Sequence, residues 1–160
     1  MDKRRTMMHI HHMSLPSDPS CACTSLRKAA RAVSRVYDEA LSGTGMTIAQ
    51  FSVLRNVARA GEIPLSRLAE ALVMDRTSLY RALAPLERQG WIEIVGAPQG
   101  RTRIASLTDA GRAAMDGATA PWEAAQKRLI GAMGADAWAA LETLLRGVVQ
   151  VADPVDRKES

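Results

Sequence analysis

Arg76, Thr77, Ser78, Tyr80 and Arg81 crowd one short stretch of this chain, and Arg101 and Arg103 follow on a second. Arginine offers paired donors that match the acceptor edge of guanine or two oxygens of a phosphate, and hydroxyls can meet bases or backbone oxygens. Ser66, a little upstream, adds a further hydroxyl suited to a phosphate. Together these side chains have the chemistry of a surface that reads double-stranded DNA. The bland alternative is a solvated basic face, or a surface that docks a protein. Catalysis finds no support: there is no glycine-rich phosphate loop and no His/Asp/Ser set in a recognisable setting.

The surrounding pattern says what would hold these residues. Leu65, Leu68, Ala69 and Leu72 recur at helical spacing and predict a helix over about 65–72, with Pro64 at its opening position. Asp75 can cap a second helix by accepting amide hydrogens of its first turn. Leu79, Leu83 and Leu86 form its apolar stripe, which leaves Arg76, Thr77, Tyr80 and Arg81 on the other side. Pro85 lies inside it and predicts a local bend; Gly90 suits a left-handed stop. Two helices joined this closely form a helix-turn-helix whose second member enters the major groove by its N-terminal end. Ile92 and Ile94 then alternate with Glu93 and Val95, Gly96 to Gly100 make a turn, and Ile104 alternates with Arg103 and Ala105 on the return. Arg101 and Arg103 fall near the tip of this hairpin, where one of them can reach a minor groove or the backbone. A helix-turn-helix followed by such a hairpin is a winged helix.

Long apolar helices flank this unit. Cys21 to about Leu41 keeps a helical period through Leu26, Ala29, Ala30, Val33, Val36 and Tyr37, with Arg27, Lys28, Arg31 and Arg35 as a solvated basic face. Thr47 can cap the next helix, which carries Ile48, Phe51, Leu54 and Val57. Thr108 can cap another that runs to Met133, where Pro121 must kink or restart it, and Gly134 separates it from a last helix carrying Trp138, Leu141, Leu144, Leu145, Val148 and Val149. These terminal helices are too apolar to stand alone. They predict a twofold dimer in which they pack with the first helix against a second copy.

At 160 residues the chain fits one domain, or a domain plus a dimerisation extension, and 47% apolar residues suffice for a core. The net charge of +4 suits nucleic acid without establishing it. No apolar run approaches a membrane span, no signal peptide is evident, and two cysteines fit a reducing compartment, so the cytoplasm is the expected location. Residues 1–20 have no periodicity and predict a disordered tail; their His9, His11 and His12 and the two cysteines match no zinc set, so no metal and no cofactor are expected. Cys21 and Cys23, at the start of the first helix, could form a thiol switch if the helix N-terminus lowers their pKa. A disulfide between the two would be strained, so a bond across the dimer or a sulfenic acid is easier.

Taken in order, Leu68-Ala69-Glu70, Asp75-Arg76-Thr77-Ser78, Leu86-Glu87-Arg88-Gln89-Gly90-Trp91-Ile92, the wing arginine Arg101 and the exit Leu107-Thr108-Asp109-Ala110-Gly111 resemble the multiple-antibiotic-resistance-regulator (MarR) family of transcription regulators. The resemblance runs from about Ser25 to Val151. One position departs: Gln99 stands where the family usually has an aspartate that holds the wing arginine. The resemblance implies a dimeric repressor and a small effector, often an aromatic acid or phenol, bound between the dimerisation helices and the winged helix. Some members sense hydroperoxides through a cysteine in the first helix.

The expected fold is therefore mostly α (α+β), a winged helix-turn-helix over about 47–107 with dimerisation helices over about 21–42 and 108–152, between tails at 1–20 and 153–160. The expected function is sequence-specific DNA binding at a pseudo-palindromic operator. Two alternatives stand beside it, a non-specific architectural DNA-binding protein and a protein-docking winged helix.

Overall fold

The computed structural model describes residues 21–97 and 100–152. The expected tails, with His9, His11 and His12, and the turn residues Pro98 and Gln99 lie outside the described residues. Six helices and three strands follow one another in the order α1 (Ala22–Leu41), α2 (Ile48–Ala60), β1 (Glu62–Pro64), α3 (Leu65–Leu72), α4 (Arg76–Arg88), β2 (Ile92–Gly96), β3 (Arg103–Leu107), α5 (Asp109–Met133) and α6 (Ala135–Ala152), with a single 3₁₀ turn at Ser42–Thr44 after α1. The fold is a mostly helical winged helix with a small antiparallel sheet.

Local chemistry explains most boundaries. Thr47 closes a full capping box with Gln50 at the start of α2, and the Asp38 carboxylate accepts the Ile48 amide at 2.7 Å, tying the end of α1 to that cap. Asp75 caps α4 and Thr108 caps α5, each through the amide three residues on. Gly90 takes φ 70°, which lets the Trp91 amide reach the Leu86 carbonyl at 2.9 Å and end α4.

Three sequence expectations change and a fourth narrows. Pro64 is not the first residue of α3; it precedes it and ends a strand, β1. That strand was not anticipated: the sheet order is β1-β3-β2, with Ile63 opposite Ala105 on one side and Ile94 opposite it on the other. Gly96 belongs to β2, opposite Arg103, not to the turn. Of the two outcomes expected at Pro121, a kink or a restart, the restart does not occur, since α5 is one helix from Asp109 to Met133. Proline removes one amide donor, and buried Ala118 and Ala125 on either side of it anchor both halves of the helix to the body.

The core is assembled around α2. Phe51, Leu54 and Val57 meet Leu68 of α3, Leu79, Leu83 and Leu86 of α4, Ile92 and Ala105 of the sheet and Ala118 of α5. By contrast no residue of α6 is buried, and only Tyr37 and Leu41 of α1 are.

The turn between α3 and α4 is closed by a non-glycine residue in the left-handed region. Val73, at φ 53° and ψ 45°, lets the Met74 amide reach the Ala69 carbonyl at 2.9 Å. A branched side chain costs roughly 1–2 kcal/mol in this conformation. Val73→Gly is expected to raise stability by about 1 kcal/mol on that account; urea denaturation with an unchanged or lower midpoint would show that the valine packs well enough to offset its strain.

Candidate nucleic-acid interface

The eight residues with DNA-reading chemistry fall on three elements. Ser66 begins α3; Arg76, Thr77, Ser78, Tyr80 and Arg81 occupy the early turns of α4; Arg101 and Arg103 flank Thr102 on the wing. The buried stripe of Leu79, Leu83 and Leu86 sets which way α4 faces, and it leaves Arg76, Thr77, Ser78 and Arg81 exposed with Tyr80 half-buried.

Five of the eight converge. A groove of about 440 Å³ lies between α3, α4 and the wing, and Ser66, Arg76, Tyr80, Arg101 and Arg103 all line it. No carboxylate lines it among the described residues. Thr77, Ser78 and Arg81 do not line this groove. Within it the Arg76 guanidinium carbon sits 5.7 Å from the centre of the Tyr80 ring, inside the range where a cation is attracted to the ring face. Arg103 donates weakly to the Ile94 carbonyl across the hairpin at 3.4 Å, while the Ala97 amide to Thr102 carbonyl bond at 2.8 Å closes the wing near its tip.

Ser78 is committed elsewhere. Its amide donates to one Asp75 carboxylate oxygen at 2.9 Å and its hydroxyl to the other at 2.6 Å. The hydroxyl is left with acceptor capacity only. The Ser78 hydroxyl and amide hold the Asp75 carboxyl below the usual carboxylate range. A carboxyl whose folded pKa lies below its unfolded one stabilises the fold above the unfolded value and loses that contribution as pH falls through the folded value. Wild type should therefore lead Asp75→Asn in stability near neutral pH, with the gap narrowing on acidification below about pH 4. A gap that stays constant across that range would show that the charge on Asp75 contributes nothing.

This geometry has close counterparts. A profile described as MarR family matches residues 44–101, which hold α2, α3, α4 and the start of the wing. The transcriptional regulator MosR of M. tuberculosis, solved in complex with DNA, is 30% identical and superposes with a TM-score of 0.77 over 85% of this chain and 98% of its own. The chain belongs to the MarR family. A second MosR structure is 31% identical with a TM-score of 0.71, over 84% of this chain and 97% of that one. A cysteine variant of E. coli MarR complexed with operator DNA is 28% identical, with a TM-score of 0.72 over 79% of this chain and 92% of that one. No curated protein matches the chain.

A second cleft in this MarR-family chain was not anticipated from the sequence. It measures about 300 Å³ and lies where α1, α2 and α5 meet, with Tyr37, Phe51, Arg55, Arg59 and Trp122 among its walls. The Arg55 guanidinium carbon lies 4.1 Å from the centre of the Trp122 ring, and the Phe51 and Trp122 ring centres are 5.5 Å apart. Burial, then repulsion from Arg59, lowers the Arg55 pKa, with Glu123 acting against both. Burial raises that of Tyr37, whose hydroxyl donates to the Gln126 side chain. The spacing of Phe51, Arg55 and Arg59 on one face of α2 was a legible sign; that Trp122 closes the far side was not.

The two cysteines are free and exposed at the start of α1. Cys21 occupies the cap position without making a capping hydrogen bond. The Thr24 amide, then its hydroxyl, then the Cys23 amide lower its thiol pKa.

Proposed function

We propose that this chain is a sequence-specific DNA-binding transcription repressor that works as a homodimer on a pseudo-palindromic operator. The observation that carries the reading is the convergence of Ser66, Arg76, Tyr80, Arg101 and Arg103 on one groove that no carboxylate of the described residues lines, beside a helix that also exposes Thr77 and Arg81. Basic groups on both a groove-entering helix and a wing are what DNA demands, because affinity comes from phosphates and selectivity from base edges. MosR and MarR, each solved with DNA, support it. Two copies related by a twofold axis would meet half-sites about 34–36 Å apart or a multiple of that spacing. No helix of the described residues is long and apolar enough to cross a membrane, and the reading puts the protein in the cytoplasm without enzymatic activity.

Dimerisation runs through α1 and α6. Leu26 and Val33 of α1 and Leu144, Leu145, Val148, Val149 and Val151 of α6 are exposed in the single chain. The cleft beside Trp122 supports a regulated repressor. Its aromatic walls and paired guanidiniums suit a small aromatic acid or phenol, and it lies between the winged helix and the helices that flank it. An effector that binds one dimer geometry more tightly would shift the population away from the spacing that fits DNA.

The exposed thiols support a second input. Cys21 as a thiolate would reduce a hydroperoxide, taking one oxygen to become sulfenate while the peroxide leaves as the alcohol. Hydroperoxide should release wild-type protein from DNA and leave the Cys21→Ser, Cys23→Ser double variant bound; release from both would remove the thiols from the mechanism.

The deciding experiment is selection of genomic fragments by the purified full chain at physiological salt. A few strongly enriched, inverted-repeat fragments are expected. Uniform recovery would make it an architectural DNA binder, and no recovery would make the winged helix a protein-docking surface.

A further inference from the structure

We propose that the two arginines of α4 do different work on DNA: Arg76, beside the Tyr80 ring, grips a backbone phosphate in the groove beneath the wing, and Arg81 reads a base. This rests on the DNA-binding reading above and divides a set of residues that composition alone leaves equivalent.

Helical geometry separates the two. At 3.6 residues per turn, positions 76 and 81 point roughly 140° apart around the axis, so both cannot face one DNA feature. Arg76 points into the groove that Arg101 and Arg103 enter from the wing and Ser66 from α3. Arg81 is exposed and lies off that groove.

The groove's chemistry favours a phosphate over a base. Three guanidiniums and a hydroxyl supply many more donors than the acceptors on one base edge, and with no carboxylate among the lining residues their charges are left to an outside anion. A helix and a wing that occupy neighbouring grooves of a duplex must have a phosphate ridge between them. The space between α4 and the wing is where that ridge would pass.

Tyr80 supplies the positioning. A guanidinium attracted to a ring face has fewer favourable rotamers, while its N–H groups remain able to donate to another acceptor. At 5.7 Å from the ring centre, attraction to the Tyr80 face favours Arg76 positions inside the groove, and it draws on the guanidinium's charge and not on its N–H donors. Tyr80 is half-buried against the core, so its ring is anchored from behind.

The test compares the full-length wild type with Arg76→Gln, Arg81→Gln, Tyr80→Phe and Tyr80→Leu. Each is titrated against a selected operator duplex and a scrambled duplex over a salt series. Arg76→Gln should weaken binding to both duplexes by the same factor, leave the operator-to-scrambled ratio within twofold of wild type, and reduce the slope of log affinity against log salt by about 1. Arg81→Gln should cut the ratio by about tenfold and leave the slope on scrambled DNA as it was. Tyr80→Phe keeps the ring, so any loss from the missing hydroxyl should come without a change in the salt slope. Tyr80→Leu should weaken both duplexes alike, in the manner of Arg76→Gln. An Arg76→Gln protein with a collapsed ratio and an unchanged slope would make Arg76 a base reader and overturn the proposal. A Tyr80→Leu protein equal to wild type would overturn the positioning role. A wild type that binds neither duplex is a separate result, because it removes the DNA-binding reading itself.

Discussion

Gly111→Ala is expected to destabilise the protein by about 3 kcal/mol, near the top of the usual range for overpacking a tight site. Gly111 is buried in the first turn of α5, where alanine would ordinarily gain helix propensity over glycine. The neighbouring backbone reverses that sign. A Cβ at position 111 would lie 1.9 Å from the Trp91 carbonyl oxygen and 2.7 Å from its carbon. Both atoms belong to main chain that cannot swing aside. The Trp91 carbonyl accepts the Thr108 amide at 3.1 Å, the Thr108 hydroxyl donates to the Gly90 carbonyl at 2.5 Å, and the same hydroxyl accepts the Gly111 amide at 3.0 Å. The start of α5 is therefore fastened to the turn that ends α4. Any shift that makes room for a methyl group must move the reading helix relative to α5, so operator affinity should fall along with stability. Chemical denaturation with a midpoint at or above that of wild type would show that this junction yields without cost.

The second large effect concerns the apolar surface of α6. Leu144 is 67% exposed and Val151 84%, and with Val148 they recur at helical spacing along one face. Uncovered apolar surface of this kind is what a twofold interface buries. Leu144→Glu combined with Val148→Glu would place four carboxylates near the axis of a dimer built on that face. The double variant is expected to run as a monomer in light scattering while its helical circular dichroism persists, because neither side chain belongs to the core. In the proposed dimer, separating the two reading heads should lower operator affinity by about 10²–10⁴-fold, the range by which linked modules outperform separate ones. A double variant that stays dimeric would move the interface away from this part of α6.

Most of the fold was legible along the chain because its signals are local. A cap needs only the residue and the amides three positions on, which is why Thr47, Asp75 and Thr108 marked the helix starts. A stop at positive φ needs only a glycine, as at Gly90, and Gly134, also at positive φ, separates the last two helices. The stripe of Leu79, Leu83 and Leu86 settles which face of α4 is buried, and so which arginines are left exposed, before any partner element is known. Where a local rule left two outcomes open, packing chose between them. Pro121 lacks one amide donor, yet α5 continues because buried residues on both sides of it hold the helix to the body.

Tertiary structure alone decided what meets what. β1 is too short to announce itself and exists because β3 offers Glu62, Ile63 and Pro64 an edge to pair with. Arg55 and Trp122, or Ser66 and Arg101, are distant in sequence, and no spacing rule brings them to one cleft or one groove. Val73 stops α3 where no glycine marked the place, and the need for glycine at position 111 comes from a carbonyl twenty residues upstream. The residue types and their periodicity determined a DNA-reading chemistry on helical faces. The gathering of Ser66, Arg76, Arg101 and Arg103 into one groove, with Arg81 outside it, came only with the chain folded, because distances between remote residues are set by packing and not by order along the chain.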